Sequence, residues 1–302
     1  MKSALIFSYG SIGSRHADIL RKNFSFKKIY IFTKKKVSGF NIIKKLQEIK
    51  NLDIDYFVIA SPTSIHLKYL NFLEKNFKNK KILVEKPIFH KYIKKNFIKN
   101  KIYVGYNLRF NNLLNFVKQF IKNKKIIDIK INCNSYLPEW RSKKNYIKTS
   151  SASKMLGGGV TLELSHEIDY VRWIFGDFKI KFVNIGKYSN LKINTEDHLK
   201  LFGKVNNANL SIDLNYYSRI STRALFVDGY NFSLFADLIT GNLTINNNGK
   251  IISKTFKQSK NSSYIMQHKN ILRNNGSKVC SLKFANNTMK IIDGIKKWKR
   301  KN

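Results

Sequence analysis

A histidine lies between two acidic residues in the stretch Gly157–Asp169. Glu163 precedes His166 by three residues, and Asp169 follows it by three. In a helix, side chains with this spacing lie on one face. A neutral imidazole near pH 7 can take a proton from an alcohol, and a nearby carboxylate can orient the ring. The spacing therefore predicts an acid–base site on a helix, with a solvent-exposed face and a chance histidine as the alternative.

The other side of this predicted helix is apolar. Leu164, Ile168, Val171 and Phe175 recur at helical spacing and can pack on a sheet. Three glycines, 157 to 159, lead into the helix.

Composition limits the class of protein. The chain has 302 residues, of which 43% are hydrophobic, so we expect two globular domains. No apolar run approaches a membrane span, and the N-terminus lacks a signal-peptide pattern, which predicts a cytoplasmic protein. Two cysteines, Cys133 and Cys280, are too few for a disulfide framework or a zinc site, and we expect no metal.

The charge is strongly basic. Lys and Arg total 57 against 18 Asp and Glu, a formal net charge of +39. Nucleic-acid binding is one interpretation. The lysines are nevertheless spread over nearly every segment, and no nucleic-acid-binding motif is present. We therefore expect no nucleic-acid partner and no membrane partner.

The N-terminus carries a degenerate dinucleotide-binding fingerprint. The apolar run Ser3–Phe7 predicts a buried parallel strand. Gly10 and Gly13 follow in a G-x-G-x-x-G pattern that has Ser8 in place of its first glycine. The predicted cofactor contacts of this turn are Tyr9, Gly10, Ser11, Ile12 and Gly13.

The end of the second predicted strand bears on the choice of cofactor. Lys28–Phe32 is followed by Thr33 and Lys34, where an NAD site normally has Asp or Glu. A hydroxyl and lysines suit the 2′-phosphate of NADP. We therefore expect NADP or NAD, with NADP favoured.

Three further strands, 55–60, 81–84 and 102–105, each end in polar residues. Alternation with helices predicts a doubly wound parallel sheet, whose ligand lies at the carboxyl ends of its strands. The cofactor contacts predicted at these ends are Ser61, Pro62, Thr63, His66, Glu85, Lys86 and Asn107.

The pattern changes after Asn112. Residues 127–133 alternate with a period of two, which is typical of an antiparallel sheet with one wet face. Further strands are predicted near 180–185, 198–205, 209–217, 224–228 and 232–236, and helices over 262–273 and 281–298. The predicted fold is thus an N-terminal Rossmann domain over residues 1–108 and a C-terminal α/β domain over residues 109–302.

Together these motifs resemble the Gfo/Idh/MocA family of NAD(P)-dependent oxidoreductases, in the family's order and over almost the whole chain. The resemblance rests on Gly10–Gly13, Ser61-Pro62-Thr63 with His66, Glu85-Lys86-Pro87, Asn107–Phe110 and the motif ending in His166–Asp169. It implies a Rossmann domain followed by a mainly antiparallel open sheet that often forms an oligomer interface, and hence a homo-oligomer.

The resemblance also implies roles. Lys86 and His166 match the catalytic pair, which would act on a secondary alcohol or ketone of a sugar, nucleotide sugar or cyclic polyol. Glu163 departs from the family, since it lies three residues before the histidine where many members have an acid four before it. Tyr136–Arg141 with Tyr146 resembles a branch linked to bacterial surface-sugar or nonulosonic acid synthesis. The implied substrate contacts are Asp169, Arg109, Glu163, Trp140, Arg141 and Tyr146.

Two other functions stay open: a catalytically inactive sensor or scaffold of the same fold, and a basic nucleic-acid-binding protein. The presence of both Lys86 and His166 favours the enzyme. We expect these two residues to meet in a cleft between the domains.

Overall fold

The computed structural model describes residues 2–141 and 145–298. Its strands are β1 (Ser3–Phe7), β2 (Lys28–Phe32), β3 (Asn41–Ile43), β4 (Tyr56–Ile59), β5 (Lys81–Val84), β6 (Lys101–Val104), β7 (Ile126–Tyr136), β8 (Phe178–Gly186), β9 (His198–Val205), β10 (Ala208–Asn215), β11 (Tyr217–Gly229), β12 (Phe232–Asp237), β13 (Asn242–Asn247), β14 (Lys250–Thr255) and β15 (Cys280–Ser281). Its helices are α1 (Ser11–Asn23), α2 (His66–Asn76), α3 (Asn112–Phe120), α4 (Val160–Glu163), α5 (Ser165–Phe175), α6 (Ser262–Leu272) and α7 (Leu282–Trp298).

The chain forms two compact units. The first contains residues 1–107 and 261–289, and the second contains residues 108–260 and the chain from Lys290 on. Residues 261–289, predicted to lie in the C-terminal domain, belong to the first unit instead. These residues return to the first unit because β15 pairs with β6, and because Ile271 and Val279 are buried in the same apolar core as β1.

The first unit is built on a doubly wound sheet. Its strand order is β15-β6-β5-β4-β1-β2-β3, parallel throughout except for β15. β1 is buried along its whole length, as its continuous apolar sequence predicts. The strand order reverses between β1 and β4, because the chain builds the sheet outward from β1 in one direction and then from β4 in the other. Ligands of such sheets bind at this point, outside the carboxyl ends of the strands.

The second unit is built on an eight-stranded sheet of order β14-β13-β12-β11-β7-β10-β9-β8. Among the described strands of this sheet, only β7 and β10 pair in parallel. In β9, Leu199 and Leu201 are buried whereas Lys200 and Phe202 are exposed, so one face is covered and the other is wet. The predicted fold class, a Rossmann sheet plus a mainly antiparallel sheet, is confirmed.

Some elements differ from the prediction. β13 and β14 are rich in Asn and Lys and lacked a strand signal, but each pairs along six residues. The predicted helix after the three glycines is divided at Leu164 (φ −96°, ψ 26°), where α4 ends before α5 begins. Of the helices in the described part of the chain, none combines the length and apolar character that a bilayer-spanning helix needs.

Candidate active site

The turn after β1 is tight. Ser8, in the place of the fingerprint's first glycine, adopts φ +80°, a conformation that glycine takes at little cost. Its N–H donates to the Phe32 carbonyl oxygen at 3.0 Å. A Cβ on Gly13 would lie 2.2 Å from the Ser8 carbonyl oxygen, so helix α1 can approach the turn only with glycine at that position.

The N-terminus of α1 is open. Gly10 is its N-cap in extended conformation, without a side-chain capping bond, and the first turn contains no acidic residue. A Cβ on Gly10 would meet nothing within 4 Å. The partial positive charge at a helix N-terminus favours an anion. Residues Tyr9 to Gly13 therefore fit the pyrophosphate of a dinucleotide.

A lysine that follows β2 contacts this turn. The Thr33 hydroxyl accepts from the Lys35 N–H at 3.2 Å, and Lys34 is exposed. The Lys35 ammonium donates to the Tyr9 carbonyl oxygen at 3.3 Å. Lys35 was not among the predicted cofactor contacts. Its contact with Tyr9 could not be predicted from local sequence, because 26 residues separate the two.

His66 connects two loops. Its ring is buried, with Nε2 2.9 Å from the Ser61 carbonyl oxygen and Nδ1 3.1 Å from that of Ile88. Burial lowers the pKa of His66, against the opposite effect of these carbonyl oxygens. Its position is that of a residue holding the Ser61-Pro62-Thr63 loop against the segment after Lys86.

Glu85 and Lys86 follow β5 at the carboxyl edge. The Glu85 N–H donates to the Ile59 carbonyl oxygen at 2.8 Å, and the Lys86 N–H donates to Glu85 Oε2 at 3.2 Å. Lys86 is half-buried. Asn107 is buried and donates to the Ser263 hydroxyl at 2.9 Å, so the returning segment contacts this edge.

In the second unit, the glycines position the His166 segment. Gly159 has φ +110°, and a Cβ there would lie 2.5 Å from Glu196 Oε1. A Cβ on Gly158 would lie 2.2 Å from the Ser150 carbonyl oxygen. The chain can therefore pass close to both residues before α4 only because side chains are absent.

The acidic residues around His166 are engaged and partly or fully buried. Arg109 Nε and Nη2 donate to the two oxygens of Asp169 at 2.9 and 2.7 Å. The Ser151 hydroxyl donates to Glu163 Oε1 at 2.8 Å. Asp169 is only 1% exposed, and Glu163 and His166 are half-buried. The alternative of a solvent-exposed helix face is therefore wrong.

A second buried ion pair lies on α5. Arg223 Nε and Nη2 both donate to Glu167 Oε1, at 2.8 and 2.7 Å, and Glu167 is fully buried. Local sequence does not indicate the partner of Glu167 on β11, because 56 residues separate the two.

Trp140 and Tyr146, the aromatic residues predicted to contact the substrate, form hydrogen bonds with neighbouring groups. Trp140 Nε1 donates to the Ser135 hydroxyl at 2.8 Å, and its ring meets Tyr216 edge-on at 5.1 Å. The Tyr146 hydroxyl accepts from the Lys192 N–H at 3.1 Å. Burial raises the pKa of Tyr216 well above its usual value, and the charges of Glu163 and Glu196 act in the same direction. The Arg141 side chain lies outside the described residues.

The two predicted catalytic residues belong to different units, Lys86 to the first and His166 to the second. Among residues 2–141 and 145–298, no three or more His, Cys, Asp or Glu side chains are grouped to hold a metal ion.

Solved structures of several dehydrogenases have a similar fold. No family model and no curated protein sequence matches the chain. Levoglucosan dehydrogenase in complex with NADH shares 15% identity at a TM-score of 0.83, over 99% of this chain and 97% of that one. The WlbA dehydrogenase from Bordetella pertussis, in complex with NADH and UDP-GlcNAcA, shares 15% identity at 0.79, over 99% and 96%. UDP-N-acetylglucosamine 3-dehydrogenase GnnA from Acidithiobacillus ferrooxidans shares 11% at 0.77, over 98% and 97%.

The chain has the fold of the Gfo/Idh/MocA-type dehydrogenases. These neighbours are of the class that the sequence resemblance implies. In that fold the uncapped N-terminus of α1 and the Glu85-Lys86 end of β5 both belong to the carboxyl edge of the parallel sheet.

Proposed function

We propose that the protein is an NAD(P)-dependent oxidoreductase that transfers a hydride between the nicotinamide and a secondary alcohol or ketone of a sugar, nucleotide sugar or cyclic polyol, in surface-carbohydrate biosynthesis. The observation that carries this proposal is the uncapped N-terminus of α1 beside the open side of Gly10. The names of the structural neighbours, which are sugar and nucleotide-sugar dehydrogenases, support the substrate class.

The catalytic roles follow from the chemistry of the two residues that match the family motif. A bound nicotinamide supplies the hydride acceptor or donor. His166 takes the proton of the substrate hydroxyl during oxidation and returns it during reduction. The Lys86 ammonium donates a hydrogen bond to the same oxygen and stabilises its developing negative charge.

The remaining site residues bind or position. Because Arg109 and Asp169 engage one another with two hydrogen bonds, they fix the α5 turn that carries His166. Glu163, Trp140, Arg141 and Tyr146 are our candidates for contacts with substrate hydroxyls. Ser61, Pro62, Thr63, His66, Glu85 and Asn107 are our candidates for forming the cofactor edge.

We propose that NADP is preferred over NAD. The Lys35 ammonium contacts the turn through the Tyr9 carbonyl oxygen, and residues 33–36 after β2 include a hydroxyl and lysines but no acid that would hold ribose hydroxyls or repel a 2′-phosphate. Fluorescence titration should give a lower Kd for NADPH than for NADH. In the double variant Thr33→Ala/Lys34→Ala, the Kd values for NADPH and NADH should differ less than in wild type. A lower Kd for NADH than for NADPH in the wild-type protein would contradict the preference.

The fold offers a matched pair of variants for the cofactor site. Gly10 has φ −89°, which any residue adopts, and free space around its absent Cβ. Gly10→Val should therefore fold normally but obstruct the approach of a pyrophosphate. Gly276→Val, at another glycine with free space, is the control. We expect NADPH binding to be lost in Gly10→Val alone. Equal binding in both variants would contradict the proposed cofactor site.

Activity separates the enzyme from its alternatives. Purified protein with its preferred nucleotide would be screened against UDP-N-acetylhexosamines, levoglucosan and inositol by absorbance at the reduced-nicotinamide band. Tight cofactor binding without turnover on any polyol would favour the sensor or scaffold. Sequence-selective DNA binding at physiological salt in a gel-shift assay would favour the nucleic-acid-binding protein.

We also propose a cytoplasmic homo-oligomer formed through the second unit's sheet. Its wet face carries Phe182 and Phe202, each 50% exposed, with ring centroids 6.4 Å apart. Light scattering at several concentrations would test the oligomer. A monomer at micromolar concentration would contradict it.

A further inference from the structure

Four buried polar side chains of the first unit form one hydrogen-bonded row behind the candidate active-site lysine. Glu85 Oε1 lies 2.9 Å from His16 Nε2. His16 Nδ1 lies 2.8 Å from His268 Nε2, and His268 Nδ1 lies 2.9 Å from the Tyr56 hydroxyl. His16, His268 and Tyr56 are fully buried, and Glu85 is 8% exposed. The four residues come from β4, the segment directly after β5, α1 and α6.

With Glu85 ionised and both imidazoles neutral, the row has one consistent arrangement of protons. A carboxylate only accepts, and a neutral imidazole has one donor and one acceptor nitrogen. His16 Nε2–H then donates to Glu85, His268 Nε2–H donates to His16 Nδ1, and the Tyr56 O–H donates to His268 Nδ1. Each of the three contacts between these side chains is thus a hydrogen bond with one donor and one acceptor.

The neighbouring groups favour this arrangement over its reverse. With both rings neutral, the reverse needs a protonated Glu85, whereas the arrangement above lets both carboxylate oxygens accept, one from His16 and one from the Lys86 N–H. Burial lowers the pKa of His268 well below its usual value and raises that of Tyr56 well above its usual value, so both are neutral near pH 7. The rings of Tyr264 and Phe24 pack edge-on against His16 and His268.

We propose that His16, His268 and Tyr56 are positioning residues that act through Glu85 on Lys86. One carboxylate connects the row to the backbone of Lys86, since Oε1 faces His16 and Oε2 accepts the Lys86 N–H. Gly105 packs closely against the same carboxylate, because a Cβ on Gly105 would lie 2.9 Å from Glu85 Oε1. The role in catalysis rests on the proposed function, but the effect on Lys86 does not.

Two variants interrupt the row and a third restores part of it. Tyr56→Phe removes only the terminal hydroxyl. His268→Leu removes the donor to His16, whereas His268→Gln keeps an N–H at a similar reach. Tyr103→Phe removes a hydroxyl from β6 of the same sheet, outside the row, and is the control.

Nitrogen NMR of the wild-type protein without ligand should find both His16 and His268 neutral and protonated on Nε2. Hydrogen exchange of the Lys86 amide should be faster in Tyr56→Phe and His268→Leu, recover in His268→Gln, and be unchanged in Tyr103→Phe. With an identified substrate, kcat should fall roughly 10-fold in the two interrupting variants while the cofactor KM stays constant.

The outcomes separate this inference from the proposed function. Absence of any dehydrogenase activity, with the expected tautomers and exchange rates, would refute the function and leave the row supported. Nδ1-protonated or charged rings in wild type would overturn the row itself. Unchanged Lys86 exchange in two folded interrupting variants would overturn its positioning role.

Discussion

The guanidinium of Arg109 and the carboxylate of Asp169 form a two-bond ion pair whose side chains are only 4% and 2% exposed. Arg109 lies in the short 3-10 turn Asn107–Phe110 that follows β6, and Asp169 lies one helical turn after His166 on α5. The pair therefore anchors the His166 helix to the start of the second unit.

Breaking this pair should be costly. Arg109→Ala leaves a buried carboxylate without its main partner, and a loss of one partner of a buried pair typically costs about 3–5 kcal/mol. We expect a decrease of this size in the free energy of unfolding, measured by urea denaturation. Lys297→Ala, which removes an i,i+4 contact to Asp293 from a largely exposed lysine, should change it by less than about 0.5 kcal/mol. Equal effects of the two variants would refute the anchoring role.

Ser8 should be replaceable by glycine without loss. Its φ of +80° is unfavourable for a residue with a Cβ by about 1–2 kcal/mol, an amount partly offset by the greater freedom of glycine in the unfolded chain. Ser8→Gly should therefore keep or raise the melting temperature. Ser14→Gly in the interior of α1, where φ is helical, should lower stability by about 0.5 kcal/mol. A larger loss in Ser8→Gly than in Ser14→Gly would contradict this account.

The parallel sheet and its turn could be predicted because their signals are local. The continuous apolar run of β1 and the spacing of Gly10 and Gly13 require nothing beyond neighbouring residues. The same holds for the period-two pattern of β7 and for the acids around His166.

Long-range partners could not be predicted. The row behind Lys86 joins His16 to His268 across 252 positions, and the Glu167–Arg223 pair spans 56. No local pattern distinguishes these from other buried or surface residues. Helix α6 was predicted, but its place in the first unit depends on the contacts of Ile271 and Val279 with a core that only the folded chain defines.

Buried neutral histidines should make the protein less stable in mild acid. Burial lowers the pKa of His268 and that of His66. Below the unfolded pKa of about 6.5, the unfolded chain binds protons that the folded chain does not. The free energy of unfolding should thus fall between pH 7.5 and 5.5, by up to about 1.4 kcal/mol per pH unit for each such histidine.

His268→Gln removes one of these groups, and its stability should depend less steeply on pH than that of wild type. Urea denaturation at several pH values measures both slopes. A wild-type stability that rises on acidification, or an identical slope in the variant, would mean that His268 is not held neutral.

Lys86 and His166 should determine turnover and leave cofactor binding almost unchanged. Neither belongs to the turn from Ser8 to Gly13 that we assign to the pyrophosphate. If both act on one substrate oxygen, loss of either should lower kcat on the order of 10²-fold or more, as expected for an acid–base group. The double variant should lose less than the product of the single losses, because residues that act as a unit contribute non-additively.

Lys86→Ala, His166→Ala and the double variant would be assayed with the identified substrate, with NADPH affinity measured in parallel. Lys68→Ala on the exposed side of α2 controls for the loss of one positive charge. Wild-type turnover in His166→Ala would make the histidine a structural residue and refute the catalytic assignment. Strictly multiplicative losses would leave both residues important but show that they do not act on the same oxygen, because independent steps combine without coupling.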